Sequence, residues 1–176
     1  MMEWFTQFLD KLLQFIPRIA IVRATHGGVK WIRGHKVKPM KPGIHWYWPL
    51  TTEFEVLVTA RQTLNIKSQV LTTADDQSVA VSAVAVYRIC NVCKAFGKRN
   101  WNPYELVQDI TQTAIVGVVS NATMADLKDV LAINERLTAA CLDALKPFGI
   151  QVYSVGLTDL AKCRVFRLIG EGNTPV

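Results

Sequence analysis

Four cysteines are the first candidates for chemistry in this 176-residue chain. Cys90 and Cys93 form a C-x-x-C pair, which is the spacing of a redox dithiol or of half a structural zinc site. A zinc site needs a second matched pair of ligands, and Cys141 and Cys163 lie twenty-two residues apart. We therefore predict buried or edge thiols in a reducing compartment, with zinc binding and dithiol redox chemistry as the alternatives.

Histidines and paired carboxylates are the next candidates. The three histidines lie in one basic segment without the H-E-x-x-H spacing of a helical metal pair: His26, His35 and His45. Asp75 and Asp76 fall at a predicted turn. Glu53 and Glu55 fall on an exposed face of a predicted strand, so neither pair suits general acid–base chemistry. Since the sequence also lacks a G-x-S-x-G motif and a phosphate-binding loop, we predict no catalytic residue, no metal and no cofactor.

The first sixteen residues predict an amphipathic helix, which Pro17 ends because proline lacks an N–H and clashes with the preceding turn. The polar half carries Glu3, Asp10 and Lys11. At ~100° per residue, the apolar side chains fall on the other half of the helical wheel: Trp4, Phe5, Phe8, Leu9, Leu12, Leu13 and Ile16. Since a helix at a chain terminus has little protein to pack against, this face predicts contact with a membrane interface or a partner.

This helix is predicted to lie in the membrane surface. Crossing ~30 Å of hydrocarbon takes ~20 mostly apolar residues, and this stretch is shorter and interrupted by charges. It also lacks the leading positive charge and the cleavage site of a secretory signal. We expect its aromatic side chains to insert at the acyl boundary. The alternative is that the helix covers the protein's own core or a sister subunit.

Positive charge is concentrated beside this helix. The formal net charge is +6, and residues 51–176 contain twelve basic and twelve acidic residues, so the whole excess lies in the first fifty. Uniform basicity would indicate nucleic acid, whereas a basic segment beside an interfacial helix indicates an anionic leaflet, at ~1 kcal/mol per Lys or Arg. The candidate lipid-binding residues are Arg33, Lys36, Lys38 and Lys41. The alternative is a solvated loop.

Three consecutive aromatic residues, Trp46, Tyr47 and Trp48, precede Pro49. One strand cannot turn all three toward one core, so at least one is expected at a surface, and tryptophan favours the bilayer interface. We predict a second shallow membrane contact through Trp46 and Trp48. The alternative is a strand packed between two layers.

Short strands and turns are predicted after Pro17. A strand at 18–23 is followed by a turn at 26–28, because the paired glycines there supply the positive φ of a tight hairpin. A returning strand at 29–33 leads into a basic loop at 35–41, and 42–43 form another turn.

Residues 54–89 predict the centre of a sheet. Apolar and polar residues alternate through 54–58 and 63–70, as in half-buried strands. After a turn at 74–76, residues 79–89 are nearly all apolar. Such a strand is expected to be central in its sheet and covered on both faces.

A first long helix is predicted to begin at Asn102, with Pro103 and Glu105 in its first turn. It is expected to end at 120–121. Its predicted buried stripe is Leu106, Ile110, Ala114 and Val118.

A second helix is predicted to begin at Thr123 with Asp126 and to end near 146. A break at 147–149 leads to a strand at 150–157, and the tail at 171–176 is expected to be disordered. The predicted apolar face of this helix is Leu127, Leu131, Leu137, Cys141, Ala144 and Leu145.

Four segments, in this order, resemble the SPFH or band 7 superfamily of stomatins, prohibitins, flotillins and HflK–HflC. Residues 19–50 resemble its opening hairpin and P-G-hydrophobic-aromatic-x-x-P loop, here PGIHWYWP. Residues 72–89, TTADDQSVAVSAVAVYRI, resemble its signature hairpin. Residues 104–146 are similar to its helix pair and 148–160 to its closing strand, so the resemblance covers roughly 18–160.

The resemblance implies an α+β fold in which antiparallel or mixed β-sheet packs with helices, behind an N-terminal amphipathic helix at 1–17. The implied domain at 18–160 divides into a membrane-proximal subdomain at 18–60 and a second subdomain at 61–160. Residues 161–176 are left as a C-terminal tail.

The resemblance also implies a scaffold and not an enzyme. Members attach to a bilayer, assemble into homo-oligomers that organise lipid, and regulate membrane proteases or channels. Relatives usually carry a transmembrane anchor and a long coiled coil, whereas this sequence resembles a small member without the C-terminal coiled coil. Any oligomer is therefore expected to form through the globular domain and the N-terminal helix.

Two functions follow from the residues and the resemblance together. The first is a membrane-associated scaffold, bound to an anionic leaflet and facing a reducing, cytoplasmic-type compartment, with no nucleic-acid partner. The second is a soluble interaction module, an adaptor or inhibitor of a larger SPFH or membrane assembly, whose N-terminal helix docks into a protein groove.

Overall fold

A computed structural model describes residues 16–97 and 102–164 of the chain. The predicted N-terminal helix lies outside these residues except for Ile16, as do the tail at 171–176 and six predicted membrane-inserting residues: Trp4, Phe5, Phe8, Leu9, Leu12 and Leu13. In the described ranges the strands are β1 (Arg18–Val22), β2 (His26–Ile32), β3 (Lys36–Met40), β4 (Gly43–Tyr47), β5 (Thr52–Val58), β6 (Gln62–Thr72), β7 (Ser78–Ile89) and β8 (Ile150–Lys162). The α-helices there are α1 (Val92–Phe96), α2 (Pro103–Ser120) and α3 (Val130–Leu145). The α+β class is confirmed.

The first part of the fold contains a two-stranded ribbon, β1–β4, and a three-stranded sheet in the order β3-β2-β5, all antiparallel. Between them lies a small core of Ala20, Val22 and Met40, against which Tyr47 and Phe54 pack. The two rings meet edge-on with centroids 4.8 Å apart. One face of the ribbon therefore packs on protein.

The predicted glycine turn at 26–28 is wrong, because Gly27 and Gly28 lie inside β2. The chain turns before them, where the His26 N–H donates to the Arg23 carbonyl at 3.0 Å. A Cβ atom on Gly27 would come within 2.8 Å of the Thr59 side chain. These glycines permit close packing and do not supply a positive φ.

The predicted basic loop at 35–41 is also wrong, because most of it is strand β3, paired with β2 from Gly28↔Met40 to Ile32↔Lys36. The tight turn is the Arg33–Gly34 pair, with φ of 54° and 71°. Two consecutive left-handed residues are typical of a type I′ turn, which the His35 N–H closes by donating to the Ile32 carbonyl, within a three-residue connection at 33–35.

The second part of the fold is an antiparallel sheet in the order β6-β7-β8, so the prediction that 79–89 form a central strand is confirmed. Alternate side chains of β7, from Val79 to Ile89, are buried in the main core. The intervening side chains, such as Ala80 and Ser82, are half-buried. The expectation of full cover on both faces is therefore wrong, since the face that carries Ala80 and Ser82 stays partly open.

Helix α2 begins as predicted, because the Asn102 side chain accepts the Tyr104 N–H at 3.1 Å and Pro103 occupies the first turn. Its buried stripe is wrong by one position. The fully buried residues are Pro103, Val107, Thr111, Ile115 and Val119, whereas the predicted stripe is half-buried. The apolar face is wide enough to fit both stripes, and packing on β6 selects the stripe one residue further on.

At the predicted start of the second helix, the Thr123 N–H and hydroxyl donate to the Asp126 carboxylate. Only a 3₁₀ turn, Asp126–Lys128, follows there, and α3 begins later behind the Asp129 cap. Four residues of the predicted apolar face are buried as expected, namely Leu127, Leu137, Cys141 and Leu145, and the other two are not. Leu131 is 79% exposed, Ala144 is exposed, and Ile133 is buried instead.

Helix α3 packs along the outer edge of β8, which is longer than predicted. The Val155 N–H donates to the Thr138 hydroxyl at 2.9 Å, and the Leu157 N–H donates to the Asn134 side-chain oxygen at 3.0 Å. Side chains of the helix thus satisfy backbone donors of the edge strand.

The two parts of the fold meet at α1 and the start of α2. The Val58 N–H donates to the Tyr104 hydroxyl at 3.2 Å, and the rings of Trp31 and Phe96 meet edge-on with centroids 5.4 Å apart. Val29 belongs to the main core together with residues of the second sheet. The β3-β2-β5 sheet therefore packs directly on the larger core.

Candidate functional site

The outer face of the β1–β4 ribbon is apolar and uncovered. Ile19 lies opposite Trp46 and Ile21 lies opposite Ile44, so all four side chains project from one face. Their exposed fractions are 52%, 64%, 72% and 68%, respectively. We call these four residues the apolar ribbon face.

The alternation of β1 explains why this face is bare. Ala20 and Val22 point to the small core and are buried, so Ile19 and Ile21 must point away from it. Contiguous exposed apolar side chains are uncommon on soluble monomers and mark contact sites with membranes or proteins. Sequence reasoning identified Trp46 but missed the three isoleucines. The sequence signal that could have identified Ile19 and Ile21 is the uninterrupted apolar run at residues 19–22, where no polar residue alternates with the apolar ones.

A cleft of ≈ 510 Å³ lies between the β2–β3 turn and the segment that joins β4 to β5. The described residues that line it include cationic, aromatic and hydroxyl side chains, which we call the cationic cleft: Lys30, Ile32, Arg33, His35, Lys36, Trp46, Tyr47, Trp48, Thr51 and Thr52. Among them are three cations and no carboxylate. Trp46 belongs to both the cleft and the apolar ribbon face.

One backbone hydrogen bond joins the two walls of the cleft, and others shape each wall. The Arg33 N–H donates to the Thr51 carbonyl at 2.6 Å, and the N–H groups of Thr51 and Thr52 donate to the Trp48 carbonyl. His35 Nδ1 donates to the Arg33 carbonyl at 2.9 Å. Arg33 is therefore fixed in its left-handed conformation at the mouth of the cleft.

The structure separates the four predicted cationic residues. All four are exposed, but only Arg33 and Lys36 line the cleft, while Lys38 lies on β3 and Lys41 follows it. Sequence reasoning missed Lys30, which is half-buried. The β2–β3 pairing that places it there was not predicted, because residues 35–41 were expected to form a loop.

The exposures agree with the expectation that at least one of the three consecutive aromatic residues lies at a surface. Trp46 and Trp48 are 64% and 53% exposed, whereas Tyr47 is half-buried against Phe54. Ile16, at the start of the described residues, is 53% exposed. In the described part of the chain, β4 therefore has one packed face and one exposed face.

The carboxylate pairs lie where turn and strand chemistry places them. Glu53 and Glu55 are exposed on β5. Asp75 accepts a hydrogen bond from the Thr73 hydroxyl and a second, at 3.4 Å, from the Met124 N–H. The Thr73 bond is the main cause of a lowered pKa of the Asp75 carboxyl. Asp75 thus joins the β6–β7 turn to the loop after α2.

The four cysteines are unbridged in the structure, with Cys90 exposed and Cys141 buried. Burial raises the pKa of the Cys141 thiol to about 11 and also raises that of Cys93. Since the thiolate is the reactive form, neither is activated. Across the described residues, no group of three histidine, cysteine or acidic side chains is placed to hold a metal.

The helices within the described ranges are too short or too polar to cross a bilayer.

Comparison with known proteins gives a family match over most of the chain. The family model described as SPFH domain / Band 7 family matches residues 20–167. The match includes the apolar ribbon face except Ile19, the cationic cleft, both long helices and β8.

Curated relatives come from archaea. The chain is 26% identical over 165 residues to an uncharacterized protein of Archaeoglobus fulgidus, covering 90% of this chain and 65% of the relative. It is 27% identical to an uncharacterized protein of Methanocaldococcus jannaschii, covering 90% and 81%. It is 26% identical to a stomatin homolog of Pyrococcus horikoshii, covering 85% of this chain and 56% of that protein.

Proposed function

Since the chain belongs to the SPFH domain / Band 7 family, as its motifs predicted, we propose that it is a membrane-associated scaffold. In this proposal it binds the surface of an anionic leaflet, self-assembles there and organises lipid or regulates membrane proteins such as proteases or channels. The proposal includes no catalytic step. The observation that carries it is the apolar ribbon face.

The apolar ribbon face supports insertion into the acyl boundary. Burying an exposed large apolar side chain is worth about 1.5–3 kcal/mol. Ile19, Ile21, Ile44 and Trp46 are each more than half exposed, so their transfer into the interface would contribute several kcal/mol. A two-stranded ribbon with one face on protein presents these four side chains together, at fixed positions.

Positive charge beside this face supports an anionic leaflet. Arg33, Lys36, Lys38 and Lys41 are exposed, and each is worth ~1 kcal/mol near an anionic surface. Trp48, 53% exposed, is proposed to insert with Trp46, since indole rings favour the headgroup region.

We assign the predicted N-terminal helix a part in the same contact. Its apolar face precedes β1 directly, and Ile16 at the junction is 53% exposed. The helix would add aromatic and leucine side chains to the inserted surface: Trp4, Phe5, Phe8, Leu9, Leu12 and Leu13. The free thiols are compatible with a leaflet that faces a reducing, cytoplasmic-type compartment.

Vesicle flotation tests the proposal. The full chain is mixed with vesicles of phosphatidylcholine, with or without phosphatidylglycerol, and compared with a version lacking residues 2–16. A third protein carries Ile21→Asn, and its matched control carries Leu131→Asn, since both side chains are more than 70% exposed on different parts of the fold.

We expect the full chain and the Leu131→Asn control to float with the anionic vesicles. Ile21→Asn and the shortened chain are expected to float less, because each loses part of the apolar contact. If the full chain stays at the bottom of the gradient with every vesicle, the apolar ribbon face belongs to a protein partner and the membrane proposal is wrong.

A further inference from the structure

We propose that the cationic cleft is a binding site for the phosphate of a lipid headgroup, held by direct contacts and not by diffuse attraction alone. This inference rests on the proposed membrane association and names its ligand. In this proposal Lys30, Arg33 and Lys36 contact the phosphate, because they line the cleft. Lys38 and Lys41 do not line the cleft and contribute only to diffuse attraction.

The strand register concentrates positive charge on one side of the β3-β2-β5 sheet. Lys30 lies directly opposite Lys38, and Lys36 lies opposite Ile32, so the three lysines project from the same face. Like charges directly opposite each other destabilise a sheet. A bound anion would relieve this repulsion.

The same register keeps carboxylates out of the cleft. On β5, Thr52 pairs with Ile32 and so lies on the lysine face, whereas Glu53 pairs with Trp31 and Glu55 with Val29 on the opposite face. The cleft therefore combines cations and hydroxyl groups, which are the donors that phosphate oxygens accept from. An anionic ligand finds no competing acid among the described residues that line it.

The turn that carries Arg33 is a second observation. The φ of 54° at Arg33 belongs to that turn, and the Arg33 N–H is bonded to the Thr51 carbonyl across the cleft. The turn thus places at the cleft mouth a guanidinium group, whose planar fork can bind phosphate oxygens in a bidentate manner.

The position of Trp46 favours a lipid as the ligand. It lines the cleft and also belongs to the apolar ribbon face. A phosphate in the cleft would therefore lie at the boundary of the surface proposed to insert into acyl chains. An amphiphile satisfies both surfaces at once, whereas a free phosphate satisfies only the cleft.

The test compares two charge-matched double variants of the full chain. The cleft variant is Arg33→Gln/Lys36→Gln. The control is Arg23→Gln/Lys41→Gln, which removes one arginine and one lysine that are exposed in the same part of the fold but do not line the cleft. Binding is measured on phosphatidylcholine vesicles that contain either phosphatidic acid, a phosphomonoester, or phosphatidylglycerol at equal surface charge.

Diffuse attraction predicts equal losses for both variants, about 30-fold for two cations. A headgroup site predicts that the cleft variant loses at least about tenfold more binding than the control on phosphatidic acid vesicles. It also predicts that the wild-type chain prefers phosphatidic acid to phosphatidylglycerol. Equal losses with no lipid preference would overturn the headgroup site while leaving the membrane proposal intact.

Experiments with inorganic phosphate distinguish a lipid headgroup from free phosphate as the ligand of the cleft. It is titrated into the full chain without vesicles and then used as a competitor of vesicle binding. Weak binding that does not displace the chain from vesicles supports the lipid assignment. Binding as tight as that to phosphatidic acid vesicles would assign the cleft to free phosphate and overturn it. Failure of the wild-type chain to bind any vesicle would overturn both proposals.

Discussion

At the scale of single residues, Asp75 was considered for acid–base catalysis, but its hydrogen bonds give it a structural role. Its carboxylate accepts from the Thr73 hydroxyl within the β6–β7 turn and from the Met124 N–H beyond α2. Residue 75 was predicted to lie at a turn, and it does. Its bond to a residue 49 positions away could not be predicted, because it depends on how α2 returns the chain to the turn.

The pH dependence of stability is expected to include a contribution from Asp75. Its folded-state pKa lies below the ordinary aspartate value of 3.8, mainly because of the Thr73 bond. A group with a lowered folded pKa stabilises the protein above its unfolded pKa, and this stabilisation is lost as the pH falls through the folded pKa. Between pH 5 and 2, roughly, the thermal midpoint of Asp75→Asn should therefore fall less steeply than that of the wild type.

The measurement is thermal unfolding by circular dichroism across that range. Asp76→Asn, in the same turn, is the charge-matched control and should follow the wild-type slope. Parallel slopes for all three proteins would show that Asp75 has no part in acid stability.

At the scale of elements, the sequence predicted where helices and strands lie better than it predicted which of their side chains are buried. The Asn102 cap, the end of α2 at Ser120 and the central position of β7 were all predicted correctly. The buried stripe of α2 was not, and the apolar face of α3 was predicted only in part, since both helices carry more apolar residues than one face can bury. Only packing against the sheet decides which residues are buried.

Two glycines give opposite expectations for the same substitution. In Gly27→Ala, the new methyl group would lie 2.8 Å from Thr59 and 2.9 Å from Val92, inside the contact between β2 and α1. We expect a loss of about 1–3 kcal/mol in the free energy of unfolding, because overpacking forces neighbours apart. Gly117→Ala places its methyl in open space on α2 and should stabilise the protein by up to ~1 kcal/mol.

Urea unfolding of both variants and the wild type provides the comparison. A neutral Gly27→Ala would mean that β2 and α1 can separate without cost, contrary to the close packing described here. The glycine pair at 27–28 was predicted as a turn because paired glycines also serve tight turns. Sequence alone does not distinguish that use from close approach.

At the scale of the whole molecule, apolar exposure and positive charge occur in the same part of the fold. The charge asymmetry of the first fifty residues was visible in the sequence. The apolar ribbon face was not, because it requires pairing of β1 with β4 across more than twenty residues, whereas hairpin reasoning paired neighbouring segments. The cationic cleft depends on the same long-range arrangement.

Salt should separate the two contributions to vesicle binding. Raising the ionic strength from about 0.1 M to 1 M shortens the screening length from ~10 Å to ~3 Å, which weakens attraction between exposed cations and an anionic surface. Binding of the full chain to phosphatidylglycerol vesicles should decrease several-fold. Residual binding to pure phosphatidylcholine should remain or increase, since it depends on apolar insertion. Co-sedimentation at both salt concentrations measures this, and equal decreases on the two vesicle types would refute a charge-dependent step.

The bonds from Asn134 and Thr138 to the edge of β8 affect what happens when many copies are crowded together. An open strand edge is a template on which another chain can add a strand, and repeated addition leads to fibres. Here the N–H groups of Val155 and Leu157 are already bonded to helix side chains. This stretch of the edge is therefore blocked as a seed for a continuous intermolecular sheet, so crowded copies can meet here only through side-chain contacts, which separate again more readily than a shared backbone ladder.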